Sequence, residues 1–345
     1  MKREQLRDIL AQSLVAGFDD LDEAAELVGR HGLGGVILFA RNIESPEQVW
    51  AQNRRLHQAA RQAGRPVPFV MVDQEGGVVA RLKAPFTDGP GLPELGASDD
   101  PEVLRAQGAR MGAELLTAGF NWDLAPVLDV HGIADGVQEK RSLGRDPVRV
   151  GELGAAFIQG LQDTGCLACA KHFPGLGRTT LDTHRERPRV SLSRAELAAM
   201  ELPPFTRAIR AGVAGVMVCH AVFESLDPAN PASLSPAVIT GLLRQEMGYD
   251  GLVLSDDLEM GAVLADLDPA TAAVRSYLAG CDLLLICHGW RFALSALEQL
   301  ADRAVAGEID RQRLEAGAWR IARAKSGLPG PPEELTDLVR ILSRG

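Results

Sequence analysis

Eight short, β-rich apolar runs, each followed by a longer stretch of helical periodicity, constrain this chain more than any other feature. They fall at residues 13–18, 35–39, 68–73, 121–126, 166–172, 215–220, 251–256 and 282–287. Alternating strands and helices imply parallel strands. The intervening stretches begin with plausible caps: Ser45-Pro46-Glu47-Gln48, Asp100-Pro101-Glu102, the capping box Ser193-Arg194-Ala195-Glu196, and Ser235-Pro236. A length of 345 residues admits two average domains or one α/β barrel. Eight βα units fit a single (β/α)8 barrel of the TIM type better than an open doubly wound sheet. The expectation is therefore one barrel domain over 1–345, with its core at about 10–325 and a tail at 326–345. The additional C-terminal helices are expected at 309–324 and 333–343, separated by Gly327-Leu328-Pro329-Gly330-Pro331-Pro332.

Charge and cysteine usage narrow the function. Thirty-six Lys and Arg stand against 46 Asp and Glu, a formal charge of −10, which argues against a nucleic-acid partner. No run reaches the length of a membrane span, and the charged N-terminus lacks the apolar core of a signal peptide. The five cysteines lie in or beside apolar runs and read as buried hydrophobes in a cytoplasmic protein. Cys166-Leu167-Ala168-Cys169 has metal or redox spacing, but no second pair follows. No metal and no cofactor are expected.

In a barrel, chemistry gathers at the C-terminal ends of the strands. The third run ends in Asp73-Gln74-Glu75-Gly76-Gly77, the fifth in Lys171-His172, the sixth in His220 and the seventh in Ser255-Asp256-Asp257. Packing explains poorly why several apolar strands should end in ionisable residues. Two connections, 127–147 and 173–192, exceed the usual βα loop length and are candidate functional loops. In the second, Asp182-Thr183-His184 can pair a carboxylate with an imidazole, raising the pKa of the imidazole towards that of a general acid. Arg178, Arg185, Arg187 and Arg189 make the same loop basic, suited to an anionic substrate tail.

Several ordered motifs together resemble the bacterial β-N-acetylglucosaminidases of glycoside hydrolase family 3. They are Asp73-Gln74-Glu75-Gly76-Gly77 with Arg81, Ala125-Pro126-Val127-Leu128-Asp129-Val130, Arg141-Ser142-Leu143-Gly144, and Lys171-His172-Phe173-Pro174-Gly175-Leu176-Gly177 followed by Asp182-Thr183-His184 and Pro188. Pro231-Ala232-Ser233-Leu234-Ser235 and Leu254-Ser255-Asp256-Asp257-Leu258-Glu259-Met260 complete the series. The resemblance implies a retaining mechanism through a covalent glycosyl-enzyme, with Asp256 as nucleophile, His184 as general acid/base and Asp182 as its partner. It also implies that Asp73, Arg81, Arg141, Lys171 and His172 bind the sugar hydroxyls and acetamido group. Asp257 is expected to be structural, because neighbouring strand residues face opposite ways, and His220 to lie at the site rim. Leu176 departs from the family pattern, where His is frequent, and Thr183 stands where Ser is frequent.

The implied substrate is a small carbohydrate, an N-acetylglucosaminyl muropeptide of cell-wall recycling or a chito-oligosaccharide. The alternatives are a β-N-acetylglucosaminide phosphorylase, a β-glucosidase of the same family, a non-catalytic sugar-binding barrel, and substrate-assisted catalysis through the acetamido group. Family β-glucosidases usually take their acid/base from a second domain; here the Asp-x-His loop is expected to supply it.

Overall fold

The computed structural model describes residues 1–87, 89–132, 138–179, 188–264, 267–330 and 334–343. Each apolar run contains a strand: β1 Leu14–Ala16, β2 Gly35–Leu38, β3 Phe69–Val72, β4 Trp122–Asp123, β5 Cys169–Phe173, β6 Gly215–Val218, β7 Leu252–Ser255 and β8 Leu284–Ile286. All are parallel, in a five-stranded sheet ordered β8-β1-β2-β3-β4 and a three-stranded sheet ordered β7-β6-β5. Parallel bridges connect the sheets at both edges, Trp122 to Leu167 and Val127 to Lys171 at one and Leu254 to Leu283 at the other. There Asp123 N–H donates to Leu167 O (2.9 Å) and Asp282 N–H to Val253 O (2.8 Å).

Residues along the strands alternate between two apolar clusters, as the period of a strand requires. Val15, Ile37, Phe69, Met71, Trp122, Cys169, Met217, Leu252, Leu254 and Leu285 pack against one another in one cluster. Their neighbours, including Leu14, Val36, Val70, Ala170, Val216, Val253 and Leu284, belong to a larger cluster with the helices. Both faces are buried, which is why the runs are continuously apolar rather than alternating.

The expected caps form. Ser45 Oγ accepts from Gln48 N–H (3.2 Å) ahead of Pro46–Gln62, Asp100 accepts from Glu102 N–H (2.9 Å), and Ser193 and Glu196 make a reciprocal box. The C-terminal helices occupy Arg311–Ser326 and Leu335–Leu342, a shift of one or two residues from expectation. The first is set by Asp310, whose carboxylate accepts from Gln312 N–H (2.6 Å). This helix belongs to the core: Ile321 joins the inner cluster, and the buried Lys325 ammonium donates to Gln12 Oε1 and Gly34 O (both 2.7 Å).

Three features escape the sequence pattern. Gln74–Gly76 and Val79–Ala80 form a short antiparallel hairpin after β3. Arg189–Val190 pairs in parallel with Val222–Phe223. Leu197–Glu201 and Ala237–Glu246 are wound as π-helix. All five cysteines are buried with free thiols. No helix among the described residues is long and apolar enough to cross a membrane.

Candidate active site

Residues at the ends of β3, β5 and β7 meet in a cavity of about 190 Å³, together with residues from the ends of β2 and β8. Asp73, Glu75, Arg81, Arg141, Lys171, His172, Asp256 and Asp257 line it, over a floor of Ile37, Leu124, Met217 and Leu285. Six of the expected site residues thus share one cavity: Asp73, Arg81, Arg141, Lys171, His172 and Asp256. Asp182 and His184 lie outside the described residues, as do Arg185 and Arg187.

Local structure explains how each side chain arrives. Lys171 and His172 are consecutive yet both reach the cavity, because the pairing of β5 with β6 shifts register between Ala170 and Phe173. The Lys171–His172 and Phe173–Pro174 peptide bonds are cis. The hairpin after β3 carries Glu75 and leads directly into Arg81. Gln74 fixes it: its Nε2 donates to Leu82 O (2.9 Å) and Thr87 O (3.1 Å), and its Oε1 accepts from Leu82 N–H (3.0 Å). Arg141 comes from the long 127–147 connection. That connection is braced where Ser142 Oγ donates to Asp129 O (2.7 Å) and His131 N–H donates to Gly144 O (2.9 Å).

Glu75, only 1 % exposed, organises the cations. Arg141 makes a two-pronged contact to its carboxylate (Nε 2.9 Å, Nη2 2.6 Å), and Lys171 Nζ lies 2.7 Å away. Lys171 also donates to Asp73 Oδ1 (2.7 Å), and Arg81 Nη2 lies 3.6 Å from Asp73 Oδ2. Burial works against ionised Glu75, but the charges and hydrogen bonds of Lys171 and Arg141 prevail and hold its carboxyl well below the usual range. Burial likewise disfavours charged Lys171 and Arg141, and the carboxylates around them reverse the effect, so both stay firmly protonated. Beneath them burial lifts Asp123 well above the ordinary aspartate value, and its Oδ2 has no hydrogen-bond partner among the described residues. Burial thus disfavours a further negative charge beneath the cluster.

His172 is oriented by Asp129, a partner the sequence reading did not single out. His172 Nδ1 donates a hydrogen bond to Asp129 Oδ2 (2.7 Å), which leaves Nε2 facing Arg141 (3.5 Å). The other Asp129 oxygen accepts from the backbone N–H groups of His172 (3.2 Å) and Leu176 (2.8 Å). Leu176 is thus anchored through its main chain, and its side chain is buried against the cavity. Gly177 makes the closest approach in this segment: a Cβ there would lie 1.6 Å from Val130 O. Gly177→Ala is therefore expected to cost about 3 kcal/mol through overpacking, read as a lower midpoint in thermal unfolding.

Asp256 follows β7 directly and keeps partial exposure to the cavity. Its Oδ1 accepts from Asp257 N–H (2.9 Å). Burial alone would raise its pKa. The His172 and His220 imidazoles, the Asp257 N–H and Lys171 outweigh burial, so the carboxylate is favoured below the ordinary aspartate value.

Two expectations need correction. Asp257 does not point away from the cavity but lines it beside Asp256. The strand ends at Ser255, so the two-residue alternation no longer applies at 256 and 257. His220 is not at the rim: it is fully buried, with Nε2 donating to Asp257 O (2.8 Å) and Nδ1 2.6 Å from Ser233 Oγ. The described arginines of the basic loop also have partners in the chain, Arg189 with Glu224 (3.0 Å) and Arg178 beside Glu201 (3.6 Å). No group of three metal-ligating side chains is gathered among the described residues.

A polar cavity at the strand C-termini, with a low-pKa carboxylate and neighbouring cations, offers groups that glycoside cleavage requires. The chain matches the family model described as the glycosyl hydrolase family 3 N terminal domain over residues 2–324, and it belongs to that family. It is 38% identical over 325 residues to a protein named beta-hexosaminidase from Alkalilimnicola ehrlichii, covering 88% of this chain and 92% of that protein. Among solved structures it is similar to a family 3 beta-N-acetylglucosaminidase from Paenibacillus (TM-score 0.90, 35% identity, covering 98% of this chain and 67% of that one). It is also similar to LpqI of M tuberculosis (TM-score 0.85, 32% identity, 94% of each chain).

Proposed function

We propose that this glycoside hydrolase is an exo-acting, retaining β-N-acetylhexosaminidase that removes terminal β-linked N-acetylglucosamine. The observation that carries the reading is the Asp256 carboxylate, kept ionised and opening into a small cavity lined by Asp73, Arg81, Arg141, Lys171 and His172. The names of the relatives support the sugar specificity. A cavity of about 190 Å³ suits one sugar residue and hence exo action. Asp256 would attack the anomeric carbon, and His184, assisted by Asp182, would protonate the leaving oxygen and later activate water. Asp73, polarised by Lys171 and Arg81, would accept from sugar hydroxyls, while Arg141 and His172 would donate to or orient the acetamido side. The bridges at both edges of the sheets support closure into one (β/α)8 barrel, folding as a single domain. The natural substrate would be a cytoplasmic muropeptide fragment from cell-wall recycling.

The reading is tested on chromogenic β-glycosides with and without added phosphate. Turnover of the N-acetylglucosaminide at least about 100-fold above the glucoside, with free sugar as product, is expected from pocket discrimination of a polar substituent. A preference for the glucoside, or a sugar 1-phosphate whose yield rises with phosphate, would reject it.

A further inference from the structure

The reading of Asp256 as nucleophile leaves its neighbour without a role. Asp257 is hydrogen-bonded at its N–H, its carbonyl and its Oδ1. Its N–H donates to Asp256 Oδ1 (2.9 Å), and its carbonyl accepts from His220 Nε2 (2.8 Å). Its Oδ1 accepts from the N–H groups of Glu259 (3.1 Å) and Cys287 (3.2 Å), and its Oδ2 lies 3.6 Å from His288 Nε2. One residue thereby joins the ends of β6, β7 and β8, and its main chain holds an oxygen of the proposed nucleophile. Glu259 strengthens the tie between β7 and β8, accepting from the N–H groups of His288 (2.5 Å) and Gly289 (2.8 Å). His288 stacks on Phe39 (5.6 Å between ring centroids), and Arg41 Nη1 lies 3.5 Å from its Nδ1.

We propose that Asp257, paired with His288, is a positioning residue whose ionised carboxylate fixes the nucleophile segment, and that its protonation sets the acid limb of activity. The proposal rests on Asp256 being the nucleophile. The charged and titratable groups facing Asp257 are Asp256 and Glu259 on its own segment, His288 and Cys287 from the end of β8, and His220 from the end of β6; Arg41 reaches it through His288. Burial, with Glu259 and Asp256 adding to it, raises the Asp257 carboxyl to about 6, against the opposing Glu259 N–H and His288. Asp256 is lowered. Two adjacent carboxyls are thus pushed apart, a recurrent sign of divided roles. A protonated Asp257 is a weaker acceptor for the two amides, so the segment relaxes as pH falls through 6. A histidine general acid governs the alkaline limb and does not mask the effect.

The test is kcat and KM against pH on a chromogenic N-acetylglucosaminide for wild type, Asp257→Asn and His288→Gln. Wild type is expected to lose kcat below about pH 6, near the point given by burial and neighbouring charge. Asp257→Asn keeps an acceptor but not the charge; its kcat is expected to fall roughly 10–100-fold with KM nearly unchanged, and its profile to be flat between pH 5 and 7. His288 is exposed, so His288→Gln should fold normally, and loss of the imidazole that lowers the Asp257 carboxyl should move the acid limb to higher pH. An unshifted limb in His288→Gln, or a limb near pH 6 persisting in Asp257→Asn, overturns the proposal. Full activity of Asp256→Ala would instead overturn the underlying reading, whatever the two profiles show.

Discussion

Asp256→Ala is expected to lower kcat on a β-N-acetylglucosaminide by roughly 10⁴-fold while leaving the thermal midpoint within a few degrees of wild type. The activity loss is large because no other described carboxylate can substitute. Asp73 and Glu75 are engaged with Lys171, Arg141 and Arg81, Asp129 with His172, and Asp257 with two backbone amides. The stability loss is small because Asp256 accepts only the local bond from Asp257 N–H and already faces the cavity. Retention of more than about a tenth of the activity is incompatible with a nucleophile at this position.

Glu75→Gln is the second large effect, and it acts on stability and activity together. The substitution keeps the shape and removes the charge that both Arg141 and Lys171 share. Two buried cations lose their common counter-charge, while Asp73 remains for Lys171. Breaking a buried pair from one side costs about 3–5 kcal/mol. A clear drop in melting temperature is expected, with kcat/KM at least about 100-fold lower as Arg141 loses its orientation. The pH dependence follows from the sign of the shift. Because the folded-state pKa of Glu75 is depressed, its stabilisation is present above the ordinary glutamate value of about 4.3 and is lost on acidification below it. The difference in melting temperature between wild type and Glu75→Gln should therefore shrink from pH 6 to pH 3. An unchanged difference would contradict the ionised state assigned to Glu75.

The strands were legible because both faces of each are buried, so the runs from Val36 to Leu38 and from Leu252 to Leu254 carry no polar interruption. The caps were legible because Ser45, Asp100 and Ser193 satisfy backbone donors within three residues, a purely local relation. Residues that end strands could be read as a site from chain position alone, and Asp73, Lys171, His172 and Asp256 do meet. The structuring partners could not be read that way. Glu75 contacts Arg141 and Asp129 contacts His172 across 66 and 43 residues, and no local pattern announces such pairs. Strand alternation does not reach past Ser255 and so does not fix where Asp257 faces, and a position at a strand end does not by itself expose His220. The π turns at Leu197–Glu201 insert a residue into a helix whose sequence still reads as ordinary helical periodicity.

The proposed mechanism requires a covalent glycosyl intermediate on Asp256. It is tested most directly by incubating the enzyme with an activated 2-fluoro β-glycoside and locating the label by peptide mass spectrometry. A stoichiometric sugar adduct on Asp256, with activity lost in step and recovered as the adduct turns over, is the predicted result. Unlabelled protein that continues to hydrolyse the N-acetylglucosaminide, or an adduct on any other residue, would contradict it.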